Sequence, residues 1–441
     1  MLTDRRKGRT MCKWILIIVT LIVGMMFIEA PAAFGSEKVA VKPLKENVDK
    51  NSDEAPAKAV KWAPAVKPKP LSENVEKGLR WLVEHQDKNG GWSQGEESTQ
   101  MGNSMDQLKD TPNVGDTCAA LLALIRSGST PSKGQYARNI LAGVKFVISE
   151  VQESDANSLF VTRIQGTRLQ MKLGTYIDTF LASMVFAEVT GKMPDKQSEQ
   201  ELADAFNKVM DKIETNQHAD GTFGGQGWAN ALSVSMATKG LNRMAQVSGK
   251  VDEEVRARLE DYARDQFDQK SGKFSSAGSA GVDLYASASA LGSMQDSDNT
   301  NDARRKDVQK QLSEAATEPE RQKAKATLER FDENEQTLHS AREAIVKKLD
   351  DKQFIAGFGS NGGEEFLSYM NIGESLVVKG TEEWKKWDKE ITANLDRIQN
   401  NDGSWTGHHC ITGRTFCTSA ALLVLMTDRA PVPVAAEIKR R

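Results

Sequence analysis

Apolar residues recur at helical spacing along most of this chain, in two different registers. In the first they form a single stripe: Val75, Leu79, Leu82 and Val83 before residue 86, and Ile391, Leu395 and Ile398 before residue 399. Such a stripe predicts a helix with one buried face. In the second, nearly every position is apolar or small, as in residues 116–125 and 415–426. That pattern predicts helices buried on all sides. The two kinds alternate, which predicts two layers with the all-apolar helices inside.

Between stripe and apolar helix lies a phrase of the form Gln-x-x-x-Gly-x-aromatic. It occurs three times: Gln86, Gly90 and Trp92; Gln217, Gly221 and Phe223; Gln399, Gly403 and Trp405. Glycine ends a helix because it tolerates positive φ. The aromatic is then free to fold back over the helix end, and the glutamine amide to bond backbone groups left open there. Weaker copies complete the array. Residues 143–152 with 174–183 form a second unit, 262–274 with 282–291 a fourth, and 344–358 with 368–376 a fifth whose corner is degenerate. The expectation is an all-α protein of about six outer/inner helix pairs.

Residues 296–343 interrupt the repeats, dense in charged side chains and without a glycine. Thr317, Pro319 and Glu320 mark the end of one helix and the start of the next. Beyond them Ala324, Leu328, Phe331, Leu338, Ile345 and Leu349 form one narrow apolar stripe. This predicts a charged helical hairpin, dispensable for folding. It either contacts a partner or packs on its own first arm or on the helices beside it.

The repeated phrase resembles the QW motif of the prenyltransferase and squalene-cyclase repeat family. Residues 77–92, with Gly78, Trp81, Gln86, Gly91 and Trp92, are similar to it almost throughout. The resemblance extends over about residues 72–428 with the one interruption. It implies an α/α toroid, six inner helices around an axis and six outer helices around them. It implies less about chemistry, because one fold hosts unrelated functions.

The 441 residues carry a net charge of −3, with no basic stripe interleaved with aromatics, so nucleic acid is not an expected partner. Arg5, Arg6, Lys7, Arg9 and Lys13 surround the start of an apolar run over residues 14–28, and Ala32, Ala33 and Gly35 follow. The run is shorter than the roughly 20 residues of a membrane span. Residues 1–35 are therefore expected to be a signal peptide of an exported protein, periplasmic or extracellular. The alternative is an anchor over residues 14–28 that keeps the protein near a membrane. Residues 36–71, rich in Lys and Pro, predict a disordered linker, and residues 429–441 a C-terminal tail.

Loss of the leader leaves Cys118, Cys410 and Cys417. Cys410 and Cys417 are close enough in sequence to pair, and a lone Cys in an Ala/Leu helix is otherwise a small buried hydrophobe. Zinc is the third option. In the protein prenyltransferase β subunits that this chain resembles, an Asp-x-Cys pair at an inner-helix start holds zinc with a His on a later helix. Asp116 and Cys118 match the local shape of that pair, in the first unit rather than a late one. The family's His position is most similar to Cys417, and His408 and His409 follow the last corner. Zinc would then bind among Asp116, Cys118, His408, His409 and Cys417. Otherwise Asp116 caps its helix and the histidines are solvated. Asp178 and Asp283 lie in apolar inner helices, where a charge is costly unless paired or facing a wet lumen. They are the candidate catalytic acids or ligand contacts.

The Asp-rich acid motif of the squalene cyclases is missing from the inner helices. Those helices offer few aromatics for a carbocation (Tyr176, Phe180, Tyr285, Phe416). Neither a phosphate-cradling loop nor a Gly-x-Ser-x-Gly elbow is present. Two functions stay open. One is a scaffold that binds a protein or a small hydrophobic ligand through the toroid mouth and the hairpin. The other is a transferase or terpenoid-cyclase-like isomerase, with zinc as its cofactor. Export favours the first, since prenyl diphosphates are made inside cells.

Overall fold

The computed structural model of the protein describes residues 61–98 and 108–434. The 1–35 leader, residues 36–60 of the linker and residues 435–441 of the tail lie outside the described residues. In chain order the helices are α1 (Glu73–Glu84), α2 (Val114–Arg126), α3 (Ala137–Glu153), α4 (Arg168–Lys172), α5 (Ile177–Val189), α6 (Lys196–Asn216) and α7 (Asn230–Ser248). They continue with α8 (Glu253–Asp265), α9 (Asp283–Glu314), α10 (Glu318–Val346), α11 (Lys352–Ile355), α12 (Gly363–Val377), α13 (Glu382–Ile398) and α14 (Arg414–Leu425).

Six of these close a ring. Helices α2, α5, α7, α9, α12 and α14 each pack on the next, and α14 packs back on α2. Helices α1, α3, α6, α8, α10 and α13 pack around them. The fold is an α/α toroid. Burial follows the sequence pattern: every residue of α5 and of α12 is buried, whereas α1 buries only Val75, Gly78, Leu79, Trp81 and Leu82.

The three corner phrases hold successive outer helices together. Trp92 Nε1 donates to Leu82 O at 2.7 Å, and Trp405 Nε1 to Leu395 O at 2.9 Å, so each indole folds back over the helix it follows. Each glutamine amide bridges two carbonyls. Gln86 bonds Gly90 O and Asn139 O, Gln217 bonds Gly221 O and Val255 O, and Gln399 bonds Gly403 O and Asn74 O. The second carbonyl always belongs to the first turns of the next outer helix. Gln399 thereby joins the last unit to the first. The corner glycines have φ of +94°, +84° and +93°, and a Cβ at Gly90 or Gly221 would lie 2.4 Å from a backbone oxygen of that next helix. Only glycine allows this approach.

Three boundaries differ from the sequence expectation. The fifth inner helix starts at Gly363, not residue 368, and its outer partner is the end of α10 rather than residues 344–358. Residues 296–343 are no separate appendage. Helix α9 runs unbroken from the ring for 32 residues, and α10 returns along it for 29, with the Thr317–Glu320 capping box at the turn. The hairpin packs on its own first arm through Val308, Ala324 and Phe331, with Leu312 and Leu328 beside them. It is also tied to α8: Glu253 pairs with Arg304 and Arg330. Finally, the end of the linker is ordered. Strand β1 (Trp62–Pro64) pairs antiparallel with β4 (Pro431–Pro433), while β2 (Phe267–Asp268) and β3 (Lys273–Phe274) form the corner of the fourth unit. Trp62 Nε1 donates to Gln246 Oε1, which fixes this strap to α7. Among the described residues no helix is long and apolar enough to cross a membrane.

Candidate functional site at the mouth of the ring

The first turns of α2, α5, α9, α12 and α14 meet at one end of the ring, and they bring together buried carboxyls. On the α2/α5 side, Asn113 caps α2 by accepting from Asp116 N, and its amide donates to Asp116 Oδ2 at 2.8 Å. Asp116 is therefore the partner of the cap rather than the cap itself. Asp178 Oδ2 accepts from Gln170 Nε2 at 2.7 Å. Burial pushes the Asp116 carboxyl up to about 7, with Asp178 adding to the effect. Burial likewise raises Asp178 to about 6. Asp283, the other candidate acid, is half exposed and pairs with Lys348 at 2.6 Å. Its place in the first turn of α9 puts it on the rim.

On the α9/α12 side, Glu364 and Glu365 are fully buried. Ile411 N donates to Glu364 Oε2 at 3.2 Å. Phe358 N donates to Glu365 Oε1 at 3.0 Å, and Tyr285 Oη donates to the same oxygen. The other oxygen of each carboxyl, Glu364 Oε1 and Glu365 Oε2, has no hydrogen-bond partner, nor has His409 Nδ1. His409 Nε2 lies 2.7 Å from Ser360 O and 3.4 Å from Glu365 Oε2. Burial raises Glu364 to about 8, with the neighbouring Glu365 contributing, and burial raises Glu365 as well.

Between α4 and the loops that lead into α5 and α7 opens a cavity of about 540 Å³. Gln165, Gln170, Lys172, Thr175, Gln226 and Trp228 line it. Trp228 and Phe358 are 42% and 51% exposed, unusual for large apolar side chains on this surface. Their rings meet edge to face at 5.9 Å, and Phe358 also lies 5.2 Å from the His409 ring. Lys172 Nζ sits 5.3 Å over Trp228. Glu97 forms a bidentate pair with Arg168 at 2.8 and 2.9 Å and fixes α4 against the segment that follows the first corner.

The residues that the resemblance suggested for zinc do not assemble. Among the described residues the one group of three or more His, Cys, Asp or Glu ligand atoms within 4.8 Å is Glu364, Glu365 and His409. Of the expected set only His409 belongs to it. Asp116 is held by the Asn113 amide, and Cys118 is buried in the core. Burial, and after it Asp178, raises the Cys118 thiol well above its ordinary value, which disfavours the thiolate that zinc requires. Cys417 is raised likewise, first by burial and then by Glu364, and its Sγ lies 3.3 Å from Ile411 O. His408 is exposed. Cys118, Cys410 and Cys417 are all free thiols, so Cys410 and Cys417 do not pair.

The sequence reading missed Glu364, Glu365, Gln170 and Trp228. The available signal was the run Asn361-Gly-Gly-Glu-Glu365, two carboxyls at a glycine-marked helix start. No protein-family model matches the sequence, and no curated protein matches it. The fold is similar to cellobiose 2-epimerase from Bacillus thermoamylovorans B4167, at 11% identity over 80% of this chain and 97% of that one, with a TM-score of 0.51. An alpha-amylase from Clostridium perfringens also aligns, at 9% identity over 81% of this chain and 99% of that one, with a TM-score of 0.48. At such identity the first likeness shows the α/α toroid and nothing finer, and the second carries no argument.

Proposed function

We propose that the protein is an exported binding toroid that takes a small hydroxylated ligand of the saccharide class at the mouth of its ring. The observation that carries this reading is the lining of the mouth cavity. The exposed Trp228 ring lines it, with Phe358 edge to face against Trp228 from outside, beside an amide- and hydroxyl-rich wall of Gln165, Gln170, Gln226 and Thr175. Aromatic faces pack against the C–H faces of a sugar ring, and side-chain amides donate to and accept from its hydroxyls. Asp178 serves as a positioning residue: buried behind Gln170, it holds that amide toward the cavity.

The isoprenoid reading asks for an apolar lumen. Here the far end of the ring is filled by charge: Glu374 of α12 lies 2.8 Å from both Arg126 of α2 and Lys239 of α7, and Lys239 lies 2.6 Å from Asp296 of α9. Nearer the middle Asn371 of α12 donates to Ser235 of α7 across the ring. An isoprenoid chain entering there would strand those groups without partners, at several kcal/mol. Export rests on the N-terminal sequence alone.

The test is titration of the secreted chain with a panel of neutral oligosaccharides, read by tryptophan fluorescence and calorimetry. Binding that W228A weakens at least tenfold supports the reading. Failure of the whole panel to bind, or equal binding by W228A, refutes it.

A further inference from the structure

We propose that Glu364, Glu365 and His409 form a site for a divalent cation of the borderline first-row class, zinc or manganese. The site lies at the first turn of α12, beside the cavity but not lining it.

The argument begins with what each carboxyl does with its two oxygens. One oxygen of each is held by protein donors: Glu364 Oε2 by Ile411 N, and Glu365 Oε1 by Phe358 N and Tyr285 Oη. The other oxygen of each is buried without a backbone or hydroxyl donor; the Cys410 thiol lies against Glu364, and Glu365 Oε2 lies 3.4 Å from His409 Nε2. Buried polar atoms are almost always satisfied, and two such carboxyl oxygens beside an imidazole are costly. The three residues lie together, and one ligand atom from each, a carboxyl oxygen of Glu364 and of Glu365 and a ring nitrogen of His409, lies within 4.8 Å of the others. A cation with bonds of about 2.0–2.2 Å would draw them together by small side-chain rotations. Two carboxylates and one divalent ion also cancel in charge, which offsets the repulsion between the neighbouring acids.

The surroundings suit a metal as well. Ser360 O faces His409 Nε2 at 2.7 Å, the kind of outer contact that fixes the tautomer of a ligating imidazole. Tyr285 orients Glu365 in the same way. Gly362 leaves space: a Cβ there would lie 3.0 Å from Glu365 Oε2 and 3.1 Å from His409 Cε1. One imidazole with two carboxylates matches zinc or manganese better than magnesium, which keeps its waters and prefers oxygen alone. The inference is independent of the saccharide reading, because it concerns a different set of atoms.

The experiment uses the full secreted chain, stripped with chelator and then equilibrated with zinc or manganese alone. Metal analysis should find one equivalent bound. X-ray absorption of the zinc form should show a shell of oxygen and nitrogen only, with an imidazole signature. E364Q, E365Q and H409N should each weaken binding at least tenfold, H408N should not, and Y285F should weaken it about tenfold through Glu365. The glutamine variants remove charge without changing shape, and circular dichroism checks their folding. A wild type that binds no cation at millimolar concentration overturns the proposal. So does a shell containing sulfur at about 2.3 Å, or full occupancy in folded E364Q and E365Q. The wild-type absorption measurement decides the matter even if a variant fails to fold.

Discussion

The corner phrase makes a prediction that reaches across two outer helices. The carbonyls bonded by Gln399, Gln86 and Gln217 belong to Asn74, Asn139 and Val255. Four residues beyond each stand Gly78, Gly143 and Leu259. A Cβ on Gly78 would lie 2.8 Å from Trp405 Cζ3, and one on Gly143 would lie 2.9 Å from Trp92 Cζ3. Where the corner aromatic is the smaller Phe223, the residue at the equivalent position is the buried Leu259. Ring size and the facing side chain therefore complement each other. Replacing Trp405 with Phe should cost about 2–4 kcal/mol, from the void and from Leu395 O losing its donor. Gly78→Ala alone gains about 1 kcal/mol of helix propensity and loses about 1–3 kcal/mol to overpacking, a net loss near 1 kcal/mol. In the double variant the new methyl enters the space left by the indole, so the combined loss should fall short of the sum by about 1–2 kcal/mol. Urea unfolding followed by far-UV circular dichroism, with slopes compared across the four proteins, measures the cycle. Additivity within about 0.5 kcal/mol would refute the complementarity.

Other consequences follow from the same geometry. Glu374→Ala leaves Arg126 and Lys239 buried without their shared partner and should cost about 3–5 kcal/mol, more than any surface charge removal; a loss below about 1 kcal/mol in denaturant titration would show the network to be solvated. Asp116 has a folded pKa near 7, above its unfolded value, so its contribution to stability is complete below about pH 4 and is lost as pH rises through 7. The Asp116 contribution is on the order of 2–4 kcal/mol between about pH 4 and 8, and Asp116→Asn should remove it from the slope, leaving the parts due to Asp178 and Glu364; an unchanged slope in the variant counts against a protonated Asp116. Excising residues 296–343 should unfold the protein, because it removes Asp296 from Lys239 and Arg304 and Arg330 from Glu253. Trimming only residues 309–327, with a short Gly/Ser join, should leave the thermal midpoint within a few degrees; a molten product by near-UV circular dichroism would show the hairpin tip to be part of the core.

The repeat was legible because the corner is made of local necessities. A left-handed turn needs glycine, an indole over a helix end needs an aromatic a fixed step later, and two open carbonyls need an amide. Those demands recur at Gln86, Gln217 and Gln399 with the same spacing, so the sequence displays them directly. The fifth unit lacks the phrase. Its turn is built instead from Gly357, Gly359 and Gly362, and its outer helix merges with the charged hairpin. The start of α12 was therefore set five residues late, and Glu364 and Glu365 fell outside the reading. The expected ligands Asp116, Cys118, His408 and Cys417 stay outside the one acid–histidine group for a different reason. Local similarity of Asp116 and Cys118 to a ligand pair carries no information about which partners the ring brings opposite, and α4 places Gln170 there rather than a histidine.

The small residues of the inner helices decide where such a ring can work. A Cβ at Gly240 would lie 1.9 Å from Ser183 Oγ, and one at Gly292 would lie 2.9 Å from the Asn371 amide carbon, so α5 and α7, and α9 and α12, approach as closely as backbones permit. Close approach narrows the axis until Ser, Asn and the Glu374 network fill it. Ala and Ser in an inner helix thus signal a closed lumen, whereas bulky residues would prop the helices apart around a cavity. With the lumen closed, several of the buried polar groups that lack hydrogen-bond partners lie in the first turns of the inner helices. At the mouth these are the carboxyls of Asp116, Asp178, Glu364 and Glu365. A ligand would meet open polar groups at that end, because packing fills the interior.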